Sequence, residues 1–120
     1  MLEKNDLTKI DCNQVKNNET HDKFVSRSID LITLNKHKGE NIYILFSSSS
    51  SKYKSGHAAA IMIENQQNKV KIIFSDPSHK LFIFDYPEYF EKWFRFACSN
   101  HFWYKNCDLF RIESHIKLKK

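Results

Sequence analysis

The chain has 120 residues, 41% of them apolar, with 10 Phe and 5 Tyr, two Gly, two Pro, three Cys and a net charge of +5. That length holds one domain, and this apolar content closes a core without staples, which excludes disulfide scaffolds, disordered chains and collagen-like sequence. The charge is spread evenly, 9 basic and 7 acidic groups in residues 1–60 against 10 and 7 in 61–120, so no basic arm for nucleic acid stands out; only the tail Lys117-Leu118-Lys119-Lys120 clusters.

Residues 1–20 are polar, and Leu7, Ile10 and Val15 set no clear period, which predicts a loop or frayed helix. From His21 a helical stripe appears at Phe24, Ser28, Leu31, Ile32 and Asn35, flanked by Val25 and Ile29. A helix over 21–35 follows, ended by Lys36-His37-Lys38-Gly39. Ile42 to Phe46 is continuous, β-branched and aromatic, the pattern of a strand buried on both faces. The Ser47 to Ser51 run, continued by Lys52-Tyr53-Lys54-Ser55-Gly56, predicts a flexible surface loop. His57 to Glu64 and Lys69 to Asp76 predict a hairpin around Asn65-Gln66-Gln67-Asn68. Asp76-Pro77-Ser78-His79 is turn chemistry, and Leu81 to Asp85 is a further short strand.

Pro87 in a first turn, with Glu88 beside it, opens a helix on which Phe90, Trp93, Phe94 and Ala97 recur at i, i+3, i+4 and i+7. Glu88 with Lys92 and Glu91 with Arg95 mark its solvated side. A last strand runs from about Cys107 to Glu113. The expected fold is α+β, a mostly antiparallel sheet flanked by helices. No apolar run approaches the roughly 20 residues of a membrane-spanning helix. The N-terminus Met-Leu-Glu-Lys-Asn-Asp lacks the apolar stretch of a signal peptide, and three cysteines cannot all pair internally, so a reducing, cytoplasmic setting is expected.

The hairpin carries the sharpest inference. A four-residue loop at 65–68 sets Glu64 against Lys69 and therefore His57 against Asp76 on one face of the sheet, because strand side chains alternate with period two. Such a pair fixes the tautomer of the histidine and raises its basicity, as the base and orienting residue of a nucleophilic triad require. The plain alternative is that His57 caps its strand and Asp76 starts the Asp-Pro turn.

Gly56-His57-Ala58-Ala59-Ala60, Ile73-Phe74-Ser75-Asp76-Pro77, Phe82-Ile83-Phe84 and Phe90-Glu91-Lys92-Trp93-Phe94 together resemble the C-terminal half of the YopT/AvrPphB-type papain-like cysteine peptidases. These are bacterial effectors in which a Gly-His-Ala strand precedes a Phe-Asp-Pro strand end, another strand and an aromatic F-x-x-W helix. The resemblance covers about residues 56–97. It implies a papain-like fold, partial or compact, with His57 as catalytic base, Asp76 as its orienting residue, and delivery into a host cell as a virulence effector. The family's Gly-Cys nucleophile motif is absent.

The upstream thiol is Cys12, 45 positions before His57. At a helix N-terminus it would be favoured as thiolate, which makes it the candidate nucleophile; otherwise it is a surface thiol. Asn5 and Gln14 are conceivable oxyanion donors. Cys98 reads as helix core, Cys107 precedes a strand without an evident partner, and Trp93, Trp103 and Tyr104 read as packing residues. His79, His101, Cys98, Cys107 and His115 contain no zinc-type spacing, and no metal or other cofactor is expected.

Two functions follow. One is a small cysteine peptidase or related acyl-transfer enzyme acting on a protein or peptide substrate. The other is a non-catalytic papain-like half-domain that binds a partner chain or self-associates. In the second case an apolar patch is expected near the His57 end of the sheet, with Tyr43, Tyr53, Trp103 and Tyr104 as anchors.

Overall fold

The computed structural model describes residues 7–77, 81–101 and 103–117. The elements in chain order are β1 (Leu7–Lys16), α1 (His21–Ile32), β2 (Ile42–Ser50), β3 (Ser55–Gln66), β4 (Lys69–Ser75), β5 (Leu81–Phe84), α2 (Pro87–Asn100), a short 3-10 turn (Tyr104–Asn106) and β6 (Leu109–Lys117). The six strands form one sheet in the order β1-β6-β2-β3-β4-β5, with every neighbouring pair antiparallel. This is an α+β domain, as expected.

Both helices lie where their apolar stripes predict. Thr20 caps α1 by accepting the Lys23 amide at 3.2 Å, which satisfies one of the free N–H groups of the first turn. Phe24, Val25, Ser28, Ile29 and Ile32 form its buried side. The helix stops at Ile32 rather than reaching residue 35, and turns follow up to Gly39, whose φ of 75° suits a residue without Cβ. Pro87 starts α2, which buries Phe90, Phe94, Ala97 and Cys98.

The helices cover one face of the sheet. Phe24 stacks on Phe110 at 4.6 Å between ring centroids, Phe94 lies 5.9 Å from Phe46, and Phe90 lies 5.7 Å from Phe84. Arg95 on α2 reaches Asp22 and Ser26 on α1 at 3.4 and 3.1 Å. The covered face therefore alternates with an uncovered one along every strand. Ile42, Ile44, Phe46, Ile61, Ile63, Ile72, Phe74, Phe110 and Ile112 point inward and are buried. Leu45, Leu81 and Ile83 point outward and are exposed by 43%, 60% and 55%.

Three expectations are corrected. Residues 7–16 are a strand, not a loop or frayed helix: β1 pairs along its length with β6. The serine run is no loop either, because Ser47 to Ser50 extend β2 and pair with β3, Ser47 to Ser49 also with β6, and the turn is confined to Ser51 to Lys54. The last strand begins at Leu109 and reaches Lys117.

The hairpin register also differs. Gln66 faces Lys69, so the loop has two residues, Gln67 and Asn68, with φ of 38° and 70°. Two successive positive φ values make the type I′ turn whose twist matches that of paired strands. The expected register is off by two, which is one full side-chain period, so every residue keeps its face.

Candidate functional site

That preserved parity brings His57 and Asp76 together. They are diagonal rather than directly opposed, since Ala60 faces Ser75 in the register. Diagonal neighbours on one face remain within reach of a long or ring-bearing side chain. His57 Nε2 lies 2.8 Å from Asp76 Oδ1, with side chains exposed by 19% and 2%. An ionised carboxylate only accepts, so Nε2 carries the proton and the basic lone pair of the neutral ring sits on Nδ1.

Asp76 is held from its other side by Tyr104, whose hydroxyl donates to Oδ2 at 2.7 Å. Burial, and then this bond to a carboxylate, raise the Tyr104 pKa far above the ordinary phenol value. The hydroxyl stays a donor, and the carboxylate is fixed between two donors. Sequence reasoning placed Tyr104 among packing residues. Its hydrogen bond depends on the 3-10 turn after α2, which no periodicity announces.

A second layer supports the histidine. Ser48 faces His57 across β2 and β3, and its hydroxyl accepts the Trp103 indole N–H at 2.8 Å. The Trp103 ring lies 6.0 Å from the His57 ring at 64°. The Cys107 thiol donates to the Trp103 carbonyl at 3.4 Å. Ser48 and Ser50 are buried on the covered face, and Ser50 donates to the Asn106 carbonyl at 2.9 Å. The serines of β2 thus clamp the segment after α2 onto the end of the sheet that carries His57.

The structure does not bring Cys12 to this pair. Cys12 lies in β1, three strands from β3 in the sheet order, about 14 Å across at ordinary strand spacing. It is exposed and faces Glu113 on the uncovered side, whereas His57 and Asp76 are on the covered side. It is in a strand, so no helix N-terminus acts on it. Gln14 shares that uncovered side and borders, with Arg111 and His57, an open depression of about 430 Å³ at this end of the sheet. Asn5 and His79 lie outside the described residues, as does the 118–120 part of the basic tail.

The other two thiols are buried. Burial, and next the neighbouring Cys107, push the Cys98 thiol from 9.0 up to about 12. Burial is also the main cause that raises Cys107, to about 11, while Ser48 opposes it. A raised pKa keeps both as neutral thiols, the opposite of an activated nucleophile. It also makes stability pH-dependent. Folded values above the unfolded one mean a contribution that is complete below pH 9 and lost as pH rises through about 11 and 12. The urea midpoint is therefore expected to fall steadily above pH 9, and Cys98→Ala is expected to flatten that fall. An unchanged alkaline profile in the variant would remove Cys98 as its source.

Among the described residues no group of three or more His, Cys, Asp or Glu is placed to hold a metal ion. No helix among them is long and apolar enough to cross a membrane. Comparison of the chain with protein-family models, with curated proteins and with solved structures returns no match.

Proposed function

We propose that this chain is a papain-like half-domain that keeps a base and its orienting carboxylate but performs no acyl transfer with its own thiols, and that it works by binding another protein. The observation that carries this reading is the division of the sheet: His57 and Asp76 meet on the covered face, while Cys12 stands on the other. A thiol must approach the base nitrogen to hydrogen-bond distance to hand over its proton. No side-chain rotation carries Cys12 through a sheet.

The uncovered face supplies the binding surface. Tyr43, Met62, Ile73 and Ile83 lie in one row across β2 to β5, and Leu45, Ala60 and Leu81 fall in the adjacent one. Lys9 and Arg111 contact Glu113 at 3.4 and 3.0 Å beside these rows, with His115 at 3.1 Å. Lys16, Lys69, Lys71 and Lys117 share this face with Lys9 and Arg111, against Glu64, Glu113 and Asp85, which contacts Lys71 at 3.9 Å, among the described residues. A second copy would meet like charge. An acidic segment with apolar side chains is the complementary partner.

The surface differs from the expected one near His57. Trp103 is partly covered and Tyr104 buried, so of the four expected anchors Tyr43 is the one in these rows. Peptidase activity, effector delivery and virulence rest on the sequence resemblance.

The test is thiol labelling. Iodoacetamide titrated from pH 6 to 9 is expected to modify Cys12 first, with no change in rate when His57 is replaced by Ala. Slower labelling of any cysteine in His57→Ala would show a base acting on that thiol and overturn the proposal. Light scattering across dilution is expected to return a monomer, and a dimer would overturn the acidic partner.

A further inference from the structure

We propose that the cavity between β4, β5 and the C-terminal half of α2 binds a methylated ammonium group, the charged end of a choline or of a methylated lysine side chain. The cavity measures about 210 Å³, below the roughly 300–1,000 Å³ of sites for drug-sized ligands, which suits one compact group. Its walls are the rings of Phe74, Phe82, Trp93, Phe96 and Tyr104, with Asp76 as the charged residue. Trp93 packs on Phe74 and Phe82 at 5.0 and 4.8 Å, so the walls are fixed. Phe96 is 64% exposed on α2 at the cavity.

Charge and hydrogen bonding select the guest. Among the described residues no Lys or Arg lines the cavity. His101, at its edge, accepts the Trp103 amide on Nδ1 at 3.3 Å, which requires a lone pair there and hence a neutral ring. The local field is set by the buried carboxylate and by ring faces, both of which attract a cation.

A primary ammonium entering this space would need acceptors for three donors. Asp76 already accepts from His57 and Tyr104, and of the other lining groups besides the rings, Asn100, whose amide nitrogen donates to the Phe96 carbonyl, offers one side-chain oxygen, too few acceptors for three donors. A methylated ammonium needs no directed hydrogen bond and offers an apolar skin to the rings while keeping its charge. A neutral hydrocarbon would fill the same space without using the field. The inference is independent of whether His57 and Asp76 take part in catalysis.

The experiment is an NMR titration of the whole chain with choline and with 3,3-dimethylbutan-1-ol, which has the same shape without the charge. Choline is expected to bind about tenfold more tightly. Equal binding of the two, or no binding of choline, would overturn the proposal. An acetylated trimethyllysine amide, run beside its unmethylated counterpart, forms a second arm. Preference for the trimethyllysine over choline assigns the group to a protein side chain, and the reverse assigns it to a free small molecule. Either supports the class, whereas preference for unmethylated lysine would overturn it. Phe96→Ala, at an exposed position, is expected to melt as the wild type and to weaken choline about fivefold; unchanged affinity in this variant would also overturn the proposal.

Discussion

Replacing Asp76 by Ala is expected to cost about 3 kcal/mol of stability, because it strips a 2% exposed carboxylate from two donors at once. The Tyr104 hydroxyl would be left in the core without its acceptor, and an orphaned buried donor carries the full loss of its hydration. Asp76→Asn keeps an acceptor for one donor and is expected to cost about half as much. Tyr104→Phe removes the donor but leaves the buried Asp76 Oδ2 one hydrogen bond short, and is expected to cost about 2 kcal/mol. The double variant Asp76→Ala with Tyr104→Phe should then be less destabilised than the sum, since both changes break one bond. Urea denaturation with unchanged slope measures all four. Strict additivity would mean that the Tyr104 bond contributes nothing.

Replacing Phe46 by Ala is expected to be worse, about 4 kcal/mol. Its ring sits 4.9 Å from Phe110, 5.9 Å from Phe94, 6.1 Å from Phe74 and 6.4 Å from Tyr104. It joins both helices' apolar sides through the middle strand of the covered face. Interior packing relaxes only partly around a lost ring, so a cavity adds to the lost burial. Leu45, the next residue, points to the uncovered side and is 43% exposed; Leu45→Ala is expected to change stability by less than about 0.5 kcal/mol. Similar costs at both positions would mean that the uncovered face is buried in solution.

The contrast between those neighbours shows which parts of the fold were legible in the amino-acid order. Periodicity found α1, α2, the start of β2 and the hairpin, because each buries a stripe of large apolar residues. It failed for β1, whose inward positions include Asn13 and Asp11. Asp11 is stabilised by a hydrogen bond from Asn35 at 2.9 Å, formed across 24 residues of chain, and the register shifts between Lys9 and Asp11. A bulge that breaks alternation, together with polar residues facing inward, erases the period-two signal.

The serines of β2 failed for a related reason. Small polar side chains indicate a loop by composition, yet Ser48 and Ser50 find indole and carbonyl partners that only the tertiary structure supplies. For the site, the His57 and Asp76 contact was legible because an error of one full period leaves the face unchanged. Its Tyr104 and Ser48 supports were not, since each comes from another element. Cys12 could not be placed without knowing that residues 7–16 are a strand and on which edge it lies.

The strand order sets the sequence in which the chain can acquire its structure. β2, β3 and β4 pair with their immediate successors, so three of the five ladders close short loops and carry little entropic cost. β6 then inserts between β2 and β1, joining Ile116 to Ile42 and Lys117 to Leu7. Contacts at such separations dominate the barrier for folding and place its closure late. During synthesis, which proceeds from the N-terminus, the first strand is made before all the others and is the last to be able to pair. Until Lys117 has left the ribosome, Leu7 has no neighbour in the sheet.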